Sequence, residues 1–224
     1  MLKVKENLHR ILDTLPEEGV RLVAISKYHP EAYIMAAYEE GQRVFGESHE
    51  QELTRKVPNL PSDIKWHFIG HLQTNKVRFI VPYISMIEAV DSIRLLKEIE
   101  KQAAKVGRTV KVLLELHIAE EATKYGFTPD ECRSFIEGGE WRTMSHIQIC
   151  GLMMMASNTD DTTQIEREMQ QASDLFDELK MRYFADDDAF CERSWGMSDD
   201  YLLALRHNTT MVRIGTAIFG PRVY

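Results

Sequence analysis

Eight short, mostly apolar runs punctuate the chain, and helically spaced apolar positions recur between several of them. The runs are 20–26, 43–47, 65–70, 84–90, 110–118, 147–155, 191–196 and 211–219. Most are near-continuous rather than alternating, the pattern of strands covered on both faces. Residues 31–40 follow Pro30 and stop at Gly41, which predicts a helix with a glycine past its end. Residues 92–106 predict a second helix, with Asp91 as its N-cap and Gly107 as its stop. Thr128-Pro129-Asp130-Glu131 has capping-box spacing with proline at the first helical position. Over 161–184, Ile165, Met169, Ala172, Phe176 and Leu179 fall on one helical face. A further amphipathic helix over about 3–15 precedes the first strand.

Strands alternating with helices of this length imply parallel pairing. Eight such units predict closure into a (β/α)8 TIM barrel, an α/β fold, with an extra N-terminal helix. The alternative, an open doubly wound sheet, lacks its Gly-x-Gly-x-x-Gly fingerprint after the first strand. At 224 residues the chain matches a barrel of small size, so residues 1–224 are expected to form a single domain. Only four residues follow Gly220 in this sequence, so no second domain is expected after the barrel.

Charge and cysteine content narrow the partners. A net charge of −8 argues against nucleic acid and against an anionic membrane surface. No apolar run reaches the length of a membrane span. Cys132, Cys150 and Cys191 are scattered and odd in number, as reduced thiols are, and the acid-containing N-terminus is not a secretory signal. A cytoplasmic protein is expected.

In such a barrel the chemistry sits at the C-terminal strand ends. Lys27 closes the first run. It is either a Schiff-base nucleophile, whose pKa would have to fall from about 10.4, or a solvated lysine opening a loop. Barrels often bind phosphate with the loops after strands seven and eight. Here those loops offer Met197-Ser198 and Gly215-Thr216, with glycine admitting an anion to backbone N–H groups. Ser198 also suits a helix N-cap followed by Asp199 and Asp200, two carboxylates expected to face solvent. Arg213 shares a face with Gly215 by strand alternation, and serves either an anion or a buried ion pair. An amine and an anion cradle on neighbouring strands of a closed barrel suggest pyridoxal phosphate. His67, His71 and Glu47 raise a rival, a metal-dependent hydrolase, although no His-x-His or His-Glu-x-x-His motif supports it. Met153-Met154-Met155 reads as a packed strand.

Several stretches resemble the pyridoxal phosphate homeostasis proteins. They are Val23-Ala24-Ile25-Ser26-Lys27 with Pro30, and Phe45-Gly46-Glu47 with Gln51-Glu52. His67-Phe68-Ile69-Gly70-His71-Leu72-Gln73-Thr74-Asn75-Lys76 and Gly196-Met197-Ser198 with Asp200 follow. The last is Met211 to Gly220 with Arg222. The resemblance runs from the first strand to the last. It implies a fold-type III barrel like the N-terminal domain of alanine racemase, with pyridoxal 5'-phosphate held on Lys27 as a Schiff base. It places Ser198, Gly215 and Thr216 at the phosphate and Arg213 at the pyridine nitrogen or the phosphate. Met197 and the end of strand two, with Ser48, border the ring. Three positions depart from the family pattern: Ser48 and His117 where asparagine is usual, and Trp195 where methionine is usual.

The function implied is reversible holding of pyridoxal phosphate, to buffer it or deliver it to apo-enzymes, by a monomer without established turnover. The alternative is a racemase or lyase of small amino acids, with Tyr28, His71 or a residue from another subunit as the second base. Lys124 is the lysine to suspect for a second cofactor site.

Overall fold

A computed structural model describes residues 2–119 and 125–221. Eight strands close into a barrel in sequence order, every pair parallel: β1 (Arg21–Ile25), β2 (Val44–Glu47), β3 (Lys65–Phe68), β4 (Ile84–Val90), β5 (Val110–Leu116), β6 (Ile147–Met154), β7 (Glu192–Ser194) and β8 (Met211–Ile214). Strand β8 returns to pair with β1, which sets Val23 beside Arg213 and Ala24 beside Ile214. The outer layer holds the long helices α2 (Glu31–Glu39), α5 (Ile93–Lys105), α6 (Pro129–Gly138) and α7 (Thr162–Tyr183). Shorter helices follow β2, β3 and β7: α3 (Glu50–Lys56), α4 (Val77–Ile80) and α8 (Tyr201–Ala204). Helix α1 (Leu2–Leu12) buries Val4, Leu8 and Ile11. Its Asn7 side chain donates to the carbonyl of Ile218 at 3.0 Å, tying it to the last turn of the chain.

The core has two shells. One packs strands against helices. The other fills the barrel with Val23, Ile25, Met86, Ala89, Leu113, Cys150, Met153 and Met211. Gly151 marks a tight passage: at φ 150° it lies where a Cβ would come within 1.9 Å of the Glu192 carbonyl oxygen on the neighbouring strand. Only glycine allows that approach.

Most local signals hold, with exceptions that include α8, whose N-cap is Asp200 rather than Ser198. Thr128 and Glu131 form the full capping box, and Asp161 caps α7. For α5, however, Ser92 is the N-cap, accepting from the amide of Leu95, because Asp91 turns away to bond His71. The run 211–219 is also not all strand. It breaks at Gly215 into one helical turn, α9 (Thr216–Phe219), since the chain must turn out of the barrel there. No helix among the described residues is long and apolar enough to cross a membrane.

Candidate functional site

Strand parity carries Val23 and Ile25 into the barrel interior, and the next residue of that parity is Lys27. Lys27 lies in a tight turn that leaves β1. The amide of His29 donates to the carbonyl of Ser26 at 3.1 Å, and Tyr28 takes a left-handed φ of 65°. On β8 the same parity gives Met211, Arg213 and Gly215.

These residues meet in one cavity of about 270 Å³, close to the lower end of the range for small-molecule sites. Lys27, Met197, Ser198, Arg213, Gly215 and Thr216 all line it. Ile25, His29, Ile69, Met155 and Asp199 complete the wall. One corner is built by Gly215, which starts α9, and Ser198, whose hydroxyl accepts from the Gly215 amide at 3.4 Å. A Cβ at Gly215 would sit 3.1 Å from the Ile25 carbonyl oxygen, so glycine keeps this corner open beside β1. Two hydroxyls, of Ser198 and Thr216, beside a glycine backbone have the chemistry to receive a phosphate group.

Arg213 is 4 % exposed and held rigidly. It donates to the carbonyl and the hydroxyl of Ser194, both at 2.6 Å, and to the carbonyl of Met154 at 2.7 Å. The Ser194 hydroxyl donates to Glu88 at 2.6 Å, and Glu88 also bonds His67 at 2.6 Å. Burial pushes Glu88 upward, but the His67 hydrogen bond, the charges of His67 and Arg213 and the Ser194 bond outweigh it and hold the carboxyl below its ordinary value. Glu88 is therefore an anion that fixes Arg213 through Ser194. Burial lowers the Arg213 guanidinium, against the opposing charges of Glu88, Asp200 and Glu115.

The two aspartates after Ser198 part company. Asp199 is exposed, while Asp200 is buried, contrary to the expectation that both face solvent. The Asp200 carboxylate accepts the Met197 amide, which folds the β7 loop over the cavity. Its pKa is raised by burial, moderated by that bond and by Arg213.

The remaining predicted residues lie around this cavity rather than in it. Ser48 lines an adjoining recess with His71 and Lys76, and its hydroxyl meets His49 Nδ1 at 3.1 Å. His67, His71 and Glu47 do not converge. His67 bonds Glu88. His71 bonds Asp91 at 2.7 Å under the Tyr125 ring, whose centroid is 3.8 Å away. Glu47 bonds Lys56 at 2.8 Å. Among the described residues no group of three or more His, Cys, Asp or Glu is arranged to hold a metal. Trp195 packs into the outer core and donates its indole N–H to the His207 carbonyl at 3.0 Å, clear of the cavity. The amide of His117 bonds the Phe127 carbonyl. Lys124 and Arg222 lie outside the described residues.

Sequence reasoning missed the residues that support the site. Met155 reads there as core packing, and the sequence pattern assigns no supporting role to Ser194, Glu88 or Glu115. The available signal was polarity out of place: Glu88 and Glu115 each sit among apolar residues in the second half of a strand whose other polar residue, Ser85 or Lys111, lies at its start. Burial, then the Asp91 charge, pushes Glu115 up to about 8 against the pull of Arg213. The carboxyl of Glu115 is thus neutral at pH 7.

The family model of the alanine racemase N-terminal domain matches residues 2–223. The pyridoxal phosphate homeostasis protein of Pasteurella multocida is 32% identical over 100% of this chain and 97% of its own length. That of Bos taurus is 37% identical over 99% of this chain and 84% of its own. The solved structure of PipY from Synechococcus elongatus, with PLP bound, superposes with a TM-score of 0.86 at 33% identity, covering 97% of this chain and all of that one. With the barrel and these relatives in agreement along its length, the chain belongs to the alanine racemase N-terminal domain family and, within it, to the pyridoxal phosphate homeostasis proteins.

Proposed function

We propose that this protein binds pyridoxal 5'-phosphate, holds it as a Schiff base on Lys27, and serves intracellular homeostasis of the cofactor by buffering it or delivering it to apo-enzymes. The observation that carries the reading is the convergence of Lys27, Arg213 and the Ser198–Gly215–Thr216 corner on one small cavity. Those residues fit the group. Lys27 supplies the amine, which forms a C=N bond to the aldehyde carbon with release of water. The hydroxyls and amide of Ser198, Gly215 and Thr216 receive the phosphate. Met197 and Met155 offer apolar surface to the ring.

Arg213 bears on whether the site favours a carrier or a catalyst. When bound, the cofactor supplies an electron sink that is weaker while its pyridine nitrogen is unprotonated. An arginine facing that nitrogen donates and cannot accept a proton, so it leaves the nitrogen neutral. The Glu88–Ser194 link keeps the guanidinium in place. That arrangement favours Schiff-base storage over strong turnover.

The racemase or lyase reading draws on the His71–Asp91 pair at the barrel mouth, which has the form of a general base and its orienting carboxylate. Borohydride reduction of the protein mixed with pyridoxal phosphate, followed by peptide mapping, tests the carrier reading. The reduced adduct is expected on Lys27. Its appearance elsewhere, or not at all, would overturn the assignment. Racemisation of alanine or serine at rates of ordinary enzymes, about 1–1000 per second, would favour the alternative.

A further inference from the structure

One fully buried cation lies outside the cavity. Lys56, near the end of α3, is 0 % exposed. Its ammonium donates to Glu47 at 2.8 Å, to Glu52 at 2.7 Å and to the carbonyl of Ser26 at 2.9 Å. Ser26 immediately precedes Lys27. Glu52 in turn accepts the backbone amide of Tyr28, which immediately follows Lys27, at 2.8 Å. Glu47 accepts the Ser26 hydroxyl at 2.6 Å. Thus both peptide groups flanking Lys27 are tied to a single buried ion cluster.

The turn so tied is a strained one. Tyr28 at φ 65° occupies the left-handed region, where a residue with a Cβ is disfavoured by about 1–2 kcal/mol. The carbonyl of Ser26 accepts both the closing hydrogen bond of the turn, from His29, and the Lys56 ammonium. Stability alone is a poor reason for this arrangement. Removing Lys56 and Glu47 from water, with Glu52 partly buried beside them, is costly, and apolar substitutes for buried ion groups are often as stable or more so. What an ion cluster adds is fixed geometry at the atoms it bonds.

We infer that Lys56, bridging Glu47 and Glu52, is a positioning residue that locks the strained turn presenting Lys27 to the cavity. The inference rests on the reading of Lys27 as the residue that carries the cofactor. It assigns to α3, which contributes nothing to the cavity wall, control over where the amine sits. Misplacing a reacting group by about 1 Å costs up to about a hundredfold in rate.

The test uses the full-length protein with Lys56→Met and, because that change strands two carboxylates, the milder Glu52→Ala. Two readouts are taken. One is the rate at which pyridoxal phosphate is captured on Lys27, trapped by borohydride and read by mass. The other is hydrogen exchange of the Tyr28 and His29 amides in protein without cofactor. Capture is expected to slow about ten- to a hundredfold in each folded variant, with faster exchange at Tyr28. Adding Tyr28→Gly to Glu52→Ala is expected to restore much of the capture rate, since glycine accepts the left-handed turn unaided. A purely structural role for the cluster would not give that rescue. Wild-type capture rates in Glu52→Ala would overturn the inference. If wild type itself fails to capture the cofactor on Lys27, the proposed function falls. In that case unchanged Tyr28 exchange in Glu52→Ala overturns the inference too, while faster exchange upholds the lock on the turn.

Discussion

Replacing Glu115 by glutamine gives a sharp test of the electrostatics inside the barrel. Glu115 is buried on β5, and its carboxyl titrates at about 8 in the folded protein against 4.5 in the unfolded chain. The folded state therefore binds the proton more tightly, and stability falls as pH rises. The contribution is fully present below about pH 4.5 and is lost by about pH 8. At 1.36 kcal/mol per unit, the 3.5 units between these values set a ceiling of about 5 kcal/mol. Glutamine has nearly the shape of the protonated acid and never ionises. The assay is urea denaturation of cofactor-free protein at about pH 5, 7 and 9, comparing wild type with Glu115→Gln. At pH 5 the two should be nearly equal in stability. By pH 9 the variant should be more stable by several kcal/mol. Taking the difference cancels other titrations, including that of Glu47, which burial raises to about 7 against the pull of Lys56 and Ser26. A difference that stays constant from pH 5 to pH 9 would refute the burial argument.

Other outcomes follow from the same geometry. Ser194→Ala removes the hydroxyl that joins Arg213 to Glu88, and should cost about 1–3 kcal/mol of stability and weaken cofactor binding, measured by denaturation and by titration with pyridoxal phosphate. Gly151→Ala would drive a Cβ into the Glu192 carbonyl, so melting should show a loss of at least about 3 kcal/mol; an unchanged melting temperature would mean that β6 and β7 lie farther apart. Thr128→Ala removes the α6 cap and should cost about 1 kcal/mol, with no change in cofactor binding.

The barrel was legible because its strands are buried on both faces and α6 and α7 carry the caps that the sequence marks. Parity did the same for the site: residues 23, 25 and 27, and 211, 213 and 215, count directly into the interior. Strand endings were harder. Residues 215–219 look like strand because Ile218 and Phe219 are apolar, yet they are buried by a helical turn against the outer layer. Asp91 and Asp200 were misread as solvent or capping groups because their partners, His71 and the Met197 amide, come from packing or loop geometry that local spacing does not encode. The lock on Lys27 was invisible for a like reason. Lys56 looks like any lysine near a helix C-terminus, and only the closure of β1 against β2 brings it under Ser26.

The most direct test of the central claim is the absorption spectrum of purified protein titrated with pyridoxal phosphate, for wild type and Lys27→Ala. The account predicts a visible Schiff-base band in wild type that saturates at one cofactor per chain and is absent from Lys27→Ala. A band of equal strength in Lys27→Ala, or none in folded wild type, would contradict it.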